Sequence, residues 1–157
     1  VGLAAPQVGE SLRLFIVSDE AEEIDRAETN QKKQNNNASA TPVPSASENE
    51  KPYPIRAWNY YVFINPAVKK TARRKLPGIE GCLSVPQKFG MVTRAERITV
   101  EAYDEKGKKF TRGASRFFAR VIQHELDHLD GKLFIDRAKE IYDIPKTERL
   151  SIKTDSK

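Results

Sequence analysis

The chain has 157 residues, with 27 lysines and arginines against 22 aspartates and glutamates, and 38% of its residues are hydrophobic. This length predicts a single domain, residues 1–157, that is large enough to bury a core. The single cysteine excludes an intrachain disulfide scaffold, and no apolar run approaches the roughly 20 residues of a membrane span. A formal net charge of +5 is mild, so we expect a soluble protein with no membrane partner and no specific nucleic-acid partner.

The first part of the chain combines short apolar runs with a long polar segment. Residues 1–9 read Val-Gly-Leu-Ala-Ala-Pro-Gln-Val-Gly, which predicts a tight backbone path, and residues 13–17 read Arg-Leu-Phe-Ile-Val, which predicts a strand. Between about residues 27 and 51, Val43 is the only large aliphatic residue. Such a composition predicts a flexible surface insertion within the domain.

The middle of the chain predicts strands. Residues 60–64 read Tyr-Tyr-Val-Phe-Ile, a strong strand signal that we expect to end at Asn65-Pro66. Residues 98–103 alternate between apolar and polar side chains, as a half-buried strand does. The Asp-Glu-Lys-Gly sequence that follows predicts a hairpin turn into residues 108–111.

The strongest helix signal runs from about Ser115 to Leu129, with apolar side chains at helical spacing and a glycine just past its end. A second, weaker helix is predicted over residues 136–142, and a loose polar tail from about residue 147. Several antiparallel strands followed by one central helix predict an α+β fold, with small antiparallel sheets packed around that helix.

Both histidines of the chain lie in one pentapeptide, residues 124–128, which reads His-Glu-Leu-Asp-His. Residues four apart lie on one face of a helix, about 5–6 Å apart at Cβ, so two imidazoles there can bind one metal ion. Glu125, beside the first ligand, can then reach a metal-bound water as general base. The alternative is a pair of histidines that only satisfy hydrogen bonds. The position of the acidic residue in the most amphipathic helix of a histidine-poor chain favours the metal site.

A catalytic zinc-type site usually takes three protein ligands, so a third must come from elsewhere in the chain. Carboxylates are plentiful and uninformative, whereas Cys82 is unique and a thiolate binds divalent metals strongly. Taken alone, Cys82 would be interpreted as a small buried hydrophobic residue. Beside an incomplete histidine pair, we prefer its interpretation as a ligand.

Three segments resemble, in chain order, the three signature motifs of peptide deformylases. They are residues 2–7 (Gly-Leu-Ala-Ala-Pro-Gln), 80–84 (Glu-Gly-Cys-Leu-Ser) and 123–128 (Gln-His-Glu-Leu-Asp-His). The third motif alone indicates only a metallohydrolase, and the three together make the resemblance specific. It extends from Val1 to about Asp136 apart from the insertion. The family normally has a further glycine and a helical segment before this point, so we expect an N-terminal part to be missing.

The resemblance implies a metal centre and its general base. Cys82, His124 and His128 would hold one divalent metal ion, which in this family is natively Fe²⁺ and is replaceable by Ni²⁺, Co²⁺ or Zn²⁺. The metal-bound water would be the nucleophile. Glu125 would take a proton from that water and pass it to the departing amine.

The resemblance also implies how the substrate is held. Gln7 and the backbone N–H of Leu83 would donate to the formyl oxygen as it becomes an oxyanion, an interaction typically worth about 2.7–4 kcal/mol. The backbone around Gly2 would pair with the substrate peptide as an extra strand. By the family pattern, Arg94 would pair with Glu80 and hold the cysteine loop, although a surface role is a near-equal alternative.

Helical spacing suggests a methionine pocket beside the metal ligands. Phe117 and Val121 share one stripe of the helix with the two histidines, so a substrate methionine could pack on them. The alternative is that both are ordinary core residues. Further candidates for the pocket wall are Phe63, Phe89 and Met91.

The leading hypothesis is a metal-dependent hydrolase that removes the N-formyl group from the N-terminal formylmethionine of newly synthesised polypeptides. The first rival, another peptidase with this histidine motif, needs a downstream ligand, yet no histidine follows His128. The second rival, a metal-stabilised binding module without turnover, does not explain the presence of Gln7, Glu125 and three ligands. The expected location is the cytoplasm of a bacterium, or a mitochondrion or plastid of a eukaryote. A transient ribosome contact through the mildly basic tail is conceivable but has no support in the sequence.

Overall fold

The computed structural model describes residues 1–34 and 57–143. The described strands are β1 (Gly2–Ala4), β2 (Leu14–Ser18), β3 (Tyr60–Thr71), β4 (Lys75–Cys82), β5 (Val85–Ala95), β6 (Arg97–Tyr103), β7 (Lys109–Ser115) and β8 (Ile141–Asp143). The described helices are α1 (Glu20–Gln34) and α2 (Arg116–Leu129), with short 3-10 turns at Ala5–Val8 and Phe134–Asp136. Among these residues, neither helix has the length and apolar character needed to cross a membrane.

The strands form two antiparallel sheets. One has five strands in the order β1-β2-β3-β6-β7, and the other has three in the order β4-β5-β8. Strand β6 shows the alternation that its sequence predicted, because Ile98, Val100 and Ala102 are buried while the residues between them are not. These side chains pack in one apolar cluster with Phe118 and Ile122 of α2. The predicted α+β fold, with small antiparallel sheets around a central helix, is therefore confirmed.

Helix α2 follows the prediction closely, since Ser115 is its N-cap and Leu129 its last residue. The Ser115 side chain, however, makes no capping hydrogen bond. Asp25 of α1 caps the helix instead: its two carboxylate oxygens accept from the backbone N–H groups of Phe117 (2.9 Å) and Phe118 (3.1 Å). Two of the N-terminal donors of α2 are thus satisfied from another helix.

Helix α1 corrects the expected start of the insertion. We expected a flexible segment from residue 27, but the helix continues to Gln34. Residues 20–34 contain no glycine or proline and are rich in Glu, Ala, Gln and Lys, which favour helix. Fully buried Ala21 and a hydrogen bond from Tyr61 to Glu22 (3.0 Å) attach the helix to the domain. The rest of the insertion and the tail from 147 lie outside the described residues.

Strand β3 corrects the expected end at Asn65-Pro66, because it continues to Thr71. Its register against β6 shifts between Ile64 and Ala67, and Asn65 has a φ of 49°. Proline cannot donate to a neighbouring strand, and an irregularity of this kind accommodates it.

The predicted helix over residues 136–142 is wrong. The chain forms a 3-10 turn at Phe134–Asp136 and then the strand β8, whose residues pair with Lys88–Gly90 of β5. Two further backbone hydrogen bonds, from Met91 N to Glu140 O (3.0 Å) and from Lys139 N to Met91 O (3.1 Å), continue this contact. Long-range sheet pairing therefore outweighs the local helical pattern.

Candidate functional site

Three predicted ligand side chains converge where β4 meets α2. Cys82 is the last residue of β4, just before the turn at Leu83 and Ser84, and the two histidines lie one helical turn apart. His128 Nε2 lies 3.1 Å from Cys82 Sγ and 3.2 Å from His124 Nε2. The three ligand atoms all lie within 4.8 Å of one another. The structure thus brings together the residues that the sequence predicted for one metal ion.

A buried carboxylate, Glu80, orients the His124 ring. Its Oε2 lies 2.9 Å from His124 Nδ1. Burial alone would raise the pKa of Glu80, but hydrogen bonds from Arg94 and His124 outweigh it and lower the pKa to about 2. Because the carboxylate can only accept, His124 Nδ1 must donate. In the neutral ring the lone pair then lies on Nε2, which is directed towards Cys82 and His128, as metal binding requires.

The expected pairing of Arg94 with Glu80 is present. Arg94 donates two parallel hydrogen bonds of 2.9 Å to the Glu80 carboxylate, and both side chains are buried. Arg94 also bonds Asp127 (2.5 Å), which accepts two 2.6 Å bonds from Arg137. An ion network in which Glu80, Arg94 and Asp127 are buried and Arg137 is exposed therefore lies behind His124. Sequence reasoning missed Asp127 and Arg137 in this network, although Asp127 lies within the histidine motif.

The donor set fits a divalent transition-metal ion. Burial lowers the pKa of His128 to about 4, so its ring is neutral near pH 7. A neutral imidazole is the form that binds metal. One thiol and two imidazoles are the soft and intermediate donors that Zn²⁺, Fe²⁺, Co²⁺ and Ni²⁺ accept.

The Gln7 amide is held with its NH₂ group towards this centre. Gln7 lies in the 3-10 turn after β1, where its Oε1 accepts from the backbone N–H of Ala4 at 2.9 Å. Its Nε2 then donates to Ser84 Oγ (3.1 Å) and contacts Cys82 Sγ (3.4 Å). This arrangement presents an uncharged donor beside the predicted ligands. Ser84 as an anchor for Gln7 was not singled out from the sequence.

Glu125 points into the same space as a nearly isolated carboxyl group. It is 3% exposed, and its Oε2 has no hydrogen-bond partner within the described part of the chain. Burial raises the pKa of Glu125 to about 7, although the charge of His124 opposes the shift. A carboxyl group of this pKa can both accept and release a proton near neutral pH.

A cavity of about 620 Å³ adjoins these groups. Besides Glu125 and His124, its wall includes Val1, Gly2, Gln7, Ile79, Glu80, Gly81, Cys82, Leu83, Val85, Pro86, Gln87, Lys88, Phe89, Phe117, Arg120 and Val121. Phe117 and Val121 line it as predicted and also pack against the core, so both interpretations of these two residues apply. Phe89 lines it too. The expectation for Phe63 is wrong, because its ring stacks on Phe15 in the core, and Met91 is not among the lining residues.

Two further predicted residues lie at the rim of this cavity. Leu83 occupies the turn between β4 and β5, and its side chain is 86% exposed. Gly2 lies in β1, which is one of the two outer strands of the five-stranded sheet. The free backbone edge of an outer strand can accept an extended peptide as an additional strand.

The chain is similar to known proteins of one family. The family model described as polypeptide deformylase matches residues 1–143. The peptide deformylase of Thermus thermophilus is 39% identical over 151 residues, which cover 95% of this chain and 64% of that protein. Peptide deformylase 1A, chloroplastic/mitochondrial, of Arabidopsis thaliana is 35% identical over 149 residues, which cover 95% of this chain and 47% of that protein. The chain thus spans about half to two thirds of these relatives.

Solved structures of peptide deformylases are also similar to this chain. The crystal structure of peptide deformylase from Thermotoga maritima has a TM-score of 0.63 and 30% identity, covering 89% of this chain and 70% of that one. The Met-Ala-Ser-bound class I type b peptide deformylase from Acinetobacter baumannii has a TM-score of 0.61 and 33% identity, covering 87% of this chain and 69% of that one.

Proposed function

We propose, given that this chain belongs to the polypeptide deformylase family, that it hydrolyses the N-formyl group of N-terminal formylmethionine on newly synthesised polypeptides. The observation that carries the proposal is the convergence of three ligand atoms next to a cavity that the Glu125 carboxyl group and the Gln7 amide line. A donor for an oxyanion, a general base and a metal centre are together what the hydrolysis of an amide requires.

The residues of the chain can be assigned to each part of this reaction. Cys82, His124 and His128 would hold a divalent metal ion, which when bound supplies Lewis acidity and lowers the pKa of water from 15.7 towards about 7. Glu125 takes a proton from the attacking water and delivers it to the amine nitrogen as the C–N bond breaks. The products are formate and a peptide with a free amino group.

Residues at the rim of the cavity would orient the substrate. The Gln7 Nε2–H and the Leu83 backbone N–H would donate to the formyl oxygen as negative charge develops on it. The peptide backbone would lie along the free edge of β1 at Gly2, and the methionine side chain would pack on Phe117 and Val121. The Acinetobacter baumannii neighbour with Met-Ala-Ser bound supports a peptide as the substrate class.

The decisive experiment compares wild type with Glu125→Ala for formyl-Met-Ala hydrolysis, each loaded with Fe²⁺, Ni²⁺ or Co²⁺. We expect turnover in the wild type and a loss of about 10²–10⁴-fold in the variant, with equal bound metal. Turnover that survives Glu125→Ala would overturn the mechanism. A wild type that binds metal without any hydrolysis would favour a binding module, and cleavage of unformylated peptides would favour a peptidase.

We further propose Fe²⁺ as the native ion, with Ni²⁺, Co²⁺ or Zn²⁺ as substitutes. A thiolate beside a ferrous ion is open to oxidation at the iron and at Cys82, whereas Zn²⁺ has no redox chemistry. The Fe²⁺ form should therefore lose activity in air faster than the Zn²⁺ form. Equal rates of loss would contradict a ferrous centre, as would purification of the native protein with another metal.

Location and ribosome contact remain predictions. Given a formylmethionine substrate, we expect the protein in the bacterial cytoplasm, or in a mitochondrion or plastid of a eukaryote; the matched relatives include bacterial and chloroplastic/mitochondrial proteins. Fractionation of the source cells tests the location. Cosedimentation with ribosomes, with and without residues 147–157, tests a contact through the tail.

A further inference from the structure

Arg120 is a buried arginine of α2 whose role the sequence did not indicate. The residue is 9% exposed and lies one helical turn before His124. Its guanidinium group faces the β4–β5 hairpin and donates to four acceptors there. These are Leu76 O (2.9 Å), Gly78 O (3.3 Å), Glu80 Oε1 (2.8 Å) and Val92 O (2.9 Å).

Gly78 leaves the space that this guanidinium group occupies. A Cβ atom on residue 78 would lie 2.6 Å from Arg120 Nη2 and 2.7 Å from Cζ, closer than real contacts of this kind. Any other side chain would therefore displace the guanidinium group or the strand. The absence of a side chain at Gly78 therefore leaves the space that the Arg120 guanidinium group occupies.

Arg120 completes the hydrogen bonding of the carboxylate that orients a metal ligand. Glu80 Oε1 accepts from Arg94 Nε and from Arg120, and Oε2 accepts from Arg94 Nη2 and from the His124 ring. Four donors occupy the roughly four acceptor positions of the carboxylate. Arg120 and His124, one turn apart on the same helix, bond to opposite oxygens.

We propose that Arg120 is a positioning residue for the metal ligand His124 and acts through Glu80. With Arg94 alone, the carboxylate can pivot on the guanidinium fork and carry the His124 ring with it. Arg120 holds Oε1 against α2, so that Oε2 and the ring keep one orientation towards Cys82. A merely structural role, in which Arg120 only attaches the hairpin to α2, would change stability but not the metal centre.

The test measures the metal centre directly. Wild type and Arg120→Met are titrated with Co²⁺, with the dissociation constant and the thiolate-to-cobalt charge-transfer band as readouts. Loss of a partner behind a ligating histidine typically costs 10–100-fold in metal affinity, and we expect about tenfold for this more remote residue, with a shifted band. The matched control is Arg112→Met. Arg112 is also partly buried and bonds Glu22, away from the metal ligands, so its variant should bind Co²⁺ like the wild type.

Gly78→Ala provides a second test that leaves every charge in place. In the wild-type background, the new Cβ displaces the guanidinium group, and Co²⁺ affinity should fall as in Arg120→Met. In the Arg120→Met background the steric conflict is gone, so Gly78→Ala should add little. Unchanged affinity and band in folded Arg120→Met would overturn the proposal. If that variant does not fold, unchanged values in Gly78→Ala would overturn it.

These readouts do not depend on turnover. Only the accompanying expectation, that kcat for formyl-Met-Ala falls while KM changes little, rests on the proposed function. A protein that shows the Co²⁺ effects but no hydrolysis would retain the role of Arg120 and lose the proposed activity.

Discussion

Gly2 and Glu125 approach so closely that a Cβ atom on residue 2 would lie 2.3 Å from the carboxylate Oε1. No real Cβ atom approaches oxygen so closely, so Gly2→Ala must displace β1 or the Glu125 side chain. A displacement of about 1 Å at a reacting group can cost about 100-fold in rate. We therefore expect kcat/KM for formyl-Met-Ala to fall by about this factor in Gly2→Ala, with bound metal unchanged.

The matched control is Gly113→Ala in β7. Among the described residues other than its chain neighbours, no atom lies within 4 Å of a Cβ at that position, and its φ is not in the left-handed region. We expect wild-type turnover from this variant. Wild-type turnover from Gly2→Ala as well would show that this close contact does not position the carboxyl group.

Val121 tests the methionine pocket. It lines the cavity one turn before Glu125, so a Trp side chain there would fill space that a methionine needs. Val121→Trp should lower kcat/KM for formyl-Met-Ala much more than for formyl-Ala-Ala, while metal content stays intact. Unchanged kinetics with both substrates would remove Val121 from the pocket.

Asp25 tests how α2 is capped. Asp25→Ala leaves two backbone N–H groups of Phe117 and Phe118 without their acceptor. Loss of a helix cap costs about 1–2 kcal/mol, which corresponds to a Tm decrease of about 2–8 °C in a chain of this size. The control is Asp143→Ala, whose exposed ion pair with Lys88 should contribute at most about 1 kcal/mol. Equal Tm values for Asp25→Ala and wild type would contradict the cap.

Metal removal should destabilise the fold. An ion that binds only the folded state adds about 2.7 kcal/mol to the free energy of unfolding at 100 times its Kd, or about 5–11 °C in Tm. We expect chelation to lower Tm by this amount and added Zn²⁺ to restore it. Cys82→Ser should respond less to Zn²⁺. A Tm that is independent of metal in the wild type would contradict ligation by residues from two distant segments.

The sequence predicted the helix α2 and the strand β6 because local periodicity carries that information. It predicted the convergence of Cys82 with the histidines because Cys82 is the single thiol of the chain and because three segments resemble peptide deformylase motifs. It did not predict that Asp25 caps α2. A serine at an N-cap position is a local signal, whereas the acceptor that caps α2 comes from a helix about 90 residues earlier in the chain.

Contacts between segments that are distant in the chain also explain why the sequence did not predict α1, β8 and the role of Arg120. Helix α1 was missed because few of its residues are apolar, and polar contacts such as the one between Glu22 and Tyr61 hold it. Strand β8 exists through its pairing with β5, which no local pattern reveals. Arg120 was missed because one arginine among apolar residues of a helix is usually interpreted as exposed. The structure shows that Arg120 is buried and that its guanidinium group donates to four acceptors on the hairpin.

The two walls of the cavity differ in how freely their residues can change. The wall formed by α2 includes the predicted ligand His124 and Glu125, and His128 lies one turn further along the same helix, so a shift of this helix would disturb all three together. The β4–β5 hairpin contributes the predicted ligand Cys82, but it also contributes Ile79, Val85 and Phe89, which are not among the predicted ligands. Redesign of substrate preference should therefore begin with substitutions of these three hairpin side chains, because none of them is a predicted ligand or the general base.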